Sequence, residues 1–198
     1  IWRQVVELKK VKPVVVSMGN VAASGGYYIS CAANKIIAEP NTLTGSIGIF
    51  GMFPNASGLF GKLALTTDIV KTNTFSDLGD LSRPMTESEK ALIQGYVERG
   101  YQTFLSRCAE GRGMTTEAVN AIGQGRVWTG EQAKERGLVD ELGGIELAIS
   151  TAAGLADLDQ YSVTTVSGSK NFLDEFLESQ LGEVKLSIVK NVLGNEFE

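Results

Sequence analysis

Hydrophobic positions in the first forty residues change their period repeatedly. Trp2, Val5, Val6 and Leu8 recur at helical spacing up to Lys10, Pro13 bars further helix, and Val14 to Met18 is a β-branched run without alternation. A helix followed by a strand covered on both faces is the predicted result. Gly19 ends that run, a helix is predicted from about Ser24 through Ala33, and the apolar stretch Lys35 to Pro40 predicts a second strand. Helix, strand, helix, strand is the order of an α/β domain whose strands lie inside layers of helix.

Downstream, Asn41 to Phe53 predicts an apolar strand in which Gly45, Gly48 and Gly51 recur every third residue, a sign of bulges or of close backbone approach. Ala64 to Lys71 is another strand candidate, and Thr74 to Pro84 is a polar loop. Met85 to Gly113 is the clearest helix: Thr86 caps it, Glu89 completes a capping box, and Leu92, Ile93, Tyr96, Val97, Tyr101 and Leu105 form its apolar stripe. Two shorter helical units, opening at Thr115 and Thr129, close at Gly123 and Gly137. A strand-like turn and a further helix follow from Gly137, and Tyr161 to Ser167 predicts a last strand. Beyond it, Phe172, Phe176, Leu177, Leu181, Val184 and Ile188 form an amphipathic pattern whose polar face is mostly acidic. The chain therefore divides into a domain over residues 1–165 and an extension over 166–198, expected to pack on its own domain or on a neighbouring subunit.

Composition narrows the function classes. The chain has 198 residues, 43% of them hydrophobic, enough for a real core, and a net charge of -5 with scattered lysines and arginines. Nucleic acid is not an expected partner. No window is long and apolar enough for a membrane helix, and the first residues lack a signal-peptide pattern, so any membrane anchor is expected outside the segment. Cys31 and Cys108 are expected as two buried thiols. Histidine is absent altogether. A serine, histidine, aspartate triad and a histidine-ligated zinc site are thereby excluded within the chain, and no motif calls for a cofactor.

Against that background Asn20 to Ser30 stands out, because Ser24 sits between Ala22–Ala23 and Gly25–Gly26 just where a helix begins. Glycines let the backbone approach another molecule, and a helix start offers free N–H groups and a positive dipole end beside the hydroxyl. That is the physics of an oxyanion site and of a nucleophile exposed on a strand-to-helix turn. The same residues also read as an ordinary N-cap with close-packing glycines. Their spacing fits neither a P-loop nor a dinucleotide fingerprint.

Four ordered motifs carry a family resemblance: Lys12 to Ser30, Thr42 to Gly51, Arg83 to Lys90, and Gly125 to Gly144. Together they resemble the signal peptide peptidase A family, also called protease IV, over about Lys12 to Ala153. The resemblance implies a Clp protease and crotonase-like fold, with mixed sheet layers flanked by helices, and hydrolysis of signal peptides by a serine and lysine dyad. Ser24 matches the nucleophile, Gly25 supplies an oxyanion amide, and Ser46 matches the hydroxyl that orients the lysine. In single-repeat members the lysine lies five residues after the position of Lys71, where this chain has Ser76. Long members place the lysine in a first repeat and the serine in a second, and this chain resembles the second. It is expected to be a piece of a longer enzyme, and to begin downstream of the loop that gives relatives their other oxyanion amide. By position alone Lys71 and Lys35 are the in-chain candidates for the base, with solvated or helix-terminal roles as their ordinary readings.

The leading expectation is a half-site for hydrophobic peptides, completed by a lysine from another repeat or subunit in a homo-oligomer. By family, the location is the inner membrane with the domain on its extracytoplasmic side. Two other classes stay open on sequence: a crotonase-like acyl-thioester enzyme, where paired amides stabilise an enolate without a nucleophile, and a non-catalytic assembly module joined through the amphipathic extension.

Overall fold

Two short chain crossings, each passing from one sheet to the next, set the architecture. In the computed structural model, which describes residues 1–166, helix α1 (Trp2–Leu8) leads into β1 (Val15–Met18), and β2 (Val21–Ala23) follows directly. After α2 (Gly25–Ser30), the chain repeats the step with β3 (Lys35–Ala38) and β4 (Leu43–Gly45). β1 pairs in parallel with β3, and β2 pairs in parallel with β4. The two crossings are tied where they change sheet: Thr42 Oγ1 donates to the Gly19 carbonyl at 2.8 Å, and Leu43 N–H donates to the Asn20 carbonyl at 2.9 Å.

Each sheet gains a third strand from downstream. β6 (Glu141–Leu142) lies parallel to β3, giving the order β1-β3-β6. β5 (Val127–Thr129) lies antiparallel to β4, giving β2-β4-β5. The remaining elements are helices: α3 (Ser57–Lys62), α4 (Glu87–Arg112), α5 (Thr116–Ile122), α6 (Gly130–Glu135) and α7 (Ile145–Leu155). The expected α/β class, mixed strand layers flanked by helices, is what the chain forms. Ile1–Asp159 forms one compact unit.

The core lies between β3 and the helices α2 and α4. Ile36, Ile37 and Ala38 are fully buried, as are Tyr27, Cys31, Ile47, Cys108, Val119 and Leu138. Tyr28 and Phe104 meet edge to face at 5.0 Å between ring centroids, a geometry that aromatic quadrupoles favour. The buried Tyr27 hydroxyl donates to the Leu138 carbonyl at 3.0 Å, and burial raises its pKa well above the usual phenol value. Cys31 and Cys108 are both free and buried, as expected. On the outside of this layer the Arg107 guanidinium stacks over the Trp2 ring, 3.7 Å from its centroid, and holds α1 against α4.

Several expected elements form otherwise. The strand buried on both faces is the central β3, while most of β1 is half-buried. The long strand expected over Asn41–Phe53 contracts to Leu43–Gly45, because Gly45 (φ 73°) and Ser46 (φ 49°) turn the backbone left-handed. Ala64 to Lys71 is irregular and exposed, with Val70 96% accessible: among the described residues it pairs with no strand. Tyr161 to Val166 likewise is not a strand and has no ladder partner among the described residues. Ser167 and the amphipathic extension lie outside the described residues. Of the expected apolar stripe of α4 only Leu105 is buried, beside Phe104, Cys108 and Ala109, whereas Leu92 and Tyr96 are exposed.

The N-terminus of α4 forms as expected and carries more. Thr86 Oγ1 accepts the Glu89 N–H, and the Glu89 carboxylate accepts the Thr86 N–H at 2.7 Å, a complete capping box. Arg83 grips the same carboxylate through two bonds of 2.8 and 2.6 Å, and also bridges to Asp77 at 2.7 Å. Lys71 completes the cluster, 3.0 Å from Asp77. Arg83 holds the Glu89 carboxyl down at about 2. A carboxylate with a depressed folded-state pKa stabilises at neutral pH, and that contribution is lost as pH falls through the folded value. Glu89→Gln should therefore melt below the parent protein at pH 7, with the gap narrowing as pH drops from about 4.5 towards 2, the window between a free glutamate and the folded group. Thermal melts across that range check it, and a pH-independent gap would assign the effect to packing instead.

Candidate active site

Ser24 and Ser46 leave neighbouring parallel strands at the same level. In the β2–β4 ladder Ala23 stands opposite Gly45, and one step further the Ser24 N–H donates to the Gly45 carbonyl at 2.9 Å. The pairing thus continues just past both strands and sets the two serines side by side in register. Both have positive φ, 53° at Ser24 and 49° at Ser46. For a residue other than glycine such backbone costs on the order of 1–3 kcal/mol and persists only when its surroundings hold it.

The surroundings of Ser24 do so. Its carbonyl accepts the first helical bond of α2, from Tyr28 N–H at 2.8 Å, while its N–H is fixed to Gly45. It occupies the N-cap position with φ 53° and ψ -114°, yet its side chain makes no capping hydrogen bond. The ordinary N-cap reading of this serine is therefore not what the structure has. The hydroxyl is left free on an exposed residue, next to Gly25, which is also exposed. As a first-turn residue Gly25 has an N–H without an intrahelical acceptor.

Ser46 is held from the opposite side. Its N–H donates to the Arg126 carbonyl at 2.8 Å, and the Ile47 carbonyl accepts the Gly125 N–H at 2.9 Å. The turn supplying these partners is left-handed at Gln124 (φ 58°) and Gly125 (φ 77°). It passes so close that a Cβ on Gly48 would lie 2.7 Å from Gly125 N. Close approach, one of the readings of the threefold glycine spacing, is the reason for this glycine.

The two serines open onto a cleft of about 470 Å³. Ile49, Phe50, Val97 and Tyr101 give it an apolar lining, with Gln94, Glu98 and Gln124 at its polar side. Among the described residues that line it, Glu98 is the one charged residue and none is a lysine. Lys35, at the first position of β3, lies 3.8 Å from Asp140. Arg112 also meets Asp140, at 3.0 Å; burial alone would raise that carboxyl, but Arg112 and the Ile36 N–H keep it below the usual range. Lys71 is held by Asp77, and the exposed Ser76 hydroxyl donates to the Asn73 carbonyl at 3.1 Å. The structure thus brings Ser24, Gly25 and Ser46 together and leaves Lys35, Lys71 and Ser76 outside their cleft. Among the described residues no cluster of three or more histidine, cysteine or carboxylate groups is placed to hold a metal.

Sequence reading missed the opposite wall, made by the turn at Gln124–Arg126 and by Val97, Glu98 and Tyr101 of α4. Gly123 and Gly125, two glycines with a single residue between them, were the signal for a tight turn there.

Residues 6–159 match the sequence profile of peptidase family S49. The chain belongs to that family. It is 41% identical over 174 residues to "Protease 4" of Salmonella typhi, an alignment covering 88% of this chain and 28% of that protein. Against "Serine protease SPPA, chloroplastic" of Arabidopsis thaliana the identity is 39% over 158 residues, covering 79% and 23%. This S49 chain thus spans about a quarter of the length of these relatives. Among solved structures, a mutant of a membrane-bound stomatin-specific protease in complex with a substrate peptide aligns over 90% of this chain and 74% of its own, with 15% identity and a TM-score of 0.46. An enoyl-CoA hydratase from Polaromonas sp. JS666 aligns over 79% and 42%, with 15% identity and a TM-score of 0.35.

In this S49 chain the contact at Gly48 gives a direct test of how tightly the site is built. Gly48→Ala should lower stability by about 1–3 kcal/mol, the cost of forcing an extra methyl into packed backbone. Urea unfolding would show it as a lower midpoint at unchanged slope, whereas an unchanged midpoint would mean that the turn at Gln124–Arg126 yields freely.

Proposed function

We propose that this chain is the serine-bearing half of a serine and lysine peptidase that degrades hydrophobic peptides of the signal-peptide type. The observation that carries the reading is Ser24 itself: a strained, exposed residue whose hydroxyl caps nothing, beside an unengaged first-turn amide and at an apolar cleft. Membership of a peptidase family and the names of the relatives support the same chemistry.

In this reading a neutral lysine amine takes the proton from Ser24 Oγ as that oxygen attacks the scissile carbonyl. The negative charge that develops on the substrate oxygen is met by the Gly25 N–H and the positive end of α2. The protonated lysine then gives its proton to the leaving amine, leaving an acyl group on Ser24, and water attacks this ester with the lysine again as base. Ser46, fixed in register beside Ser24, positions the amine. Ile49, Phe50, Val97 and Tyr101 favour apolar side chains of an extended peptide. With no lysine among the described residues that line the cleft and no histidine in the chain, the base in this reading comes from another repeat or subunit. Attachment to the inner membrane, with the domain on its extracytoplasmic side, belongs to the same proposal; among the described residues no helix is long and apolar enough to cross a membrane.

Intact mass after exposure to a fluorophosphonate tests the proposal, with the full-length gene product, this chain alone and Ser24→Ala side by side. Labelling is expected at Ser24 in the long protein and not in this chain alone. Ser24→Ala should lower kcat by about 10⁴-fold or more, as loss of a catalytic nucleophile does. Because the neutral amine is the active form, activity should rise with pH along an acid limb set by the lysine. Full activity in Ser24→Ala would overturn the assignment, and labelling of this chain alone would overturn the split site.

A further inference from the structure

We infer that Tyr101 is a positioning residue for Ser46, acting through the turn at Gln124–Arg126. The inference rests on the proposed role of Ser46 and concerns how that hydroxyl is kept in place. Tyr101 sits midway along α4, with its ring half-buried against the core and one edge on the Ser24 cleft. Its hydroxyl is fully engaged. It donates to Asn120 Oδ1 of α5 at 2.7 Å and accepts the Gln124 N–H at 2.9 Å.

Gln124 is the residue at which this support matters, because it holds a left-handed backbone (φ 58°) that is unfavourable for its side chain. The next two residues then reach the site. Gly125 N–H donates to the Ile47 carbonyl, and the Arg126 carbonyl accepts the Ser46 N–H. Three consecutive residues of the turn therefore join the tyrosine hydroxyl at one end to the backbone on either side of the Ser46 carbonyl group at the other. Space allows little slack, since a Cβ on Gly123 would lie 3.0 Å from Tyr101 Oη. Arg126 braces the same turn independently, through Nη1 to the Ala121 carbonyl at 2.7 Å and Nη2 to Gln124 Oε1 at 3.1 Å. Removing the tyrosine hydroxyl should loosen the turn rather than unfold it.

The test uses the full-length gene product and a double-mutant cycle of Tyr101→Phe with Ser46→Ala, read on cleavage of a hydrophobic peptide. Tyr101→Phe should lower kcat about tenfold, the effect of losing the hydrogen bond that holds the Gln124 N–H, with KM changed by less than about twofold. In the Ser46→Ala background the same substitution should have little further effect, because contributions made through one residue are not additive. A merely structural tyrosine would instead give additive losses, and additivity overturns the inference, as does an unchanged kcat in Tyr101→Phe. Asn120→Ala, which removes the acceptor and leaves the tyrosine, should give the same non-additivity and serves if Tyr101→Phe folds poorly. Fluorophosphonate labelling of the parent separates the two levels. Labelling at Ser24 with additive mutants removes only the role of Tyr101, whereas absence of labelling removes the peptidase reading and this inference with it.

Discussion

One backbone hydrogen bond, from Ser24 N–H to the Gly45 carbonyl, is the constraint on which the rest of the structure turns. It extends a parallel ladder of three-residue strands by one step, and in doing so places two left-handed serines next to each other. Strands so short hold their register poorly alone. Here the register is inherited from the larger pairing upstream, since β1 runs into β2 and β3 into β4 with only a few residues between. Thr42 and Thr44, both fully buried, secure that inheritance with hydroxyl bonds across the paired chains, to the Gly19 and Ala22 carbonyls. The site is thus positioned by the most buried strand of the fold, β3, without touching it.

The sequence was most legible where one local signal sufficed. The capping box at Thr86 and Glu89, the glycine stops after α4 and α5, and the apolar run of β3 each act over a few neighbouring residues, and each formed where expected. β2 and β5 were illegible because three residues give no period to read; they are strands only because β4 lies between them. The reverse holds for Ala64 to Lys71, whose composition suits a strand but which joins no sheet edge among the described residues. Extended propensity without a partner does not make a sheet.

The site divides along the same line. Ser24 and Gly25 announced themselves through their small neighbours, and Ser46 through its place in a glycine-spaced motif. The opposite wall did not, because Tyr101, Asn120 and Gln124 meet over separations of about twenty residues through side-chain and backbone bonds that no spacing rule describes. Tyr101 was visible only as one member of an apolar stripe, and its hydroxyl, the part with a specific partner, was hidden by that pattern. The family resemblance noted the missing lysine by its replacement, Ser76, and the structure adds that the two in-chain candidates, Lys35 and Lys71, are already paired with Asp140 and Asp77.

The backbone angles of Ser24 have a consequence for how this protein can change over generations. At φ 53° and ψ -114° glycine would sit without steric cost where serine is strained. Selection for thermal robustness alone would therefore replace the serine by glycine, and erase the hydroxyl in a single step that makes the fold more comfortable. Persistence of serine at position 24 in a lineage is a record that something other than folding has been selected there. A glycine at that position would mark a copy released from that demand.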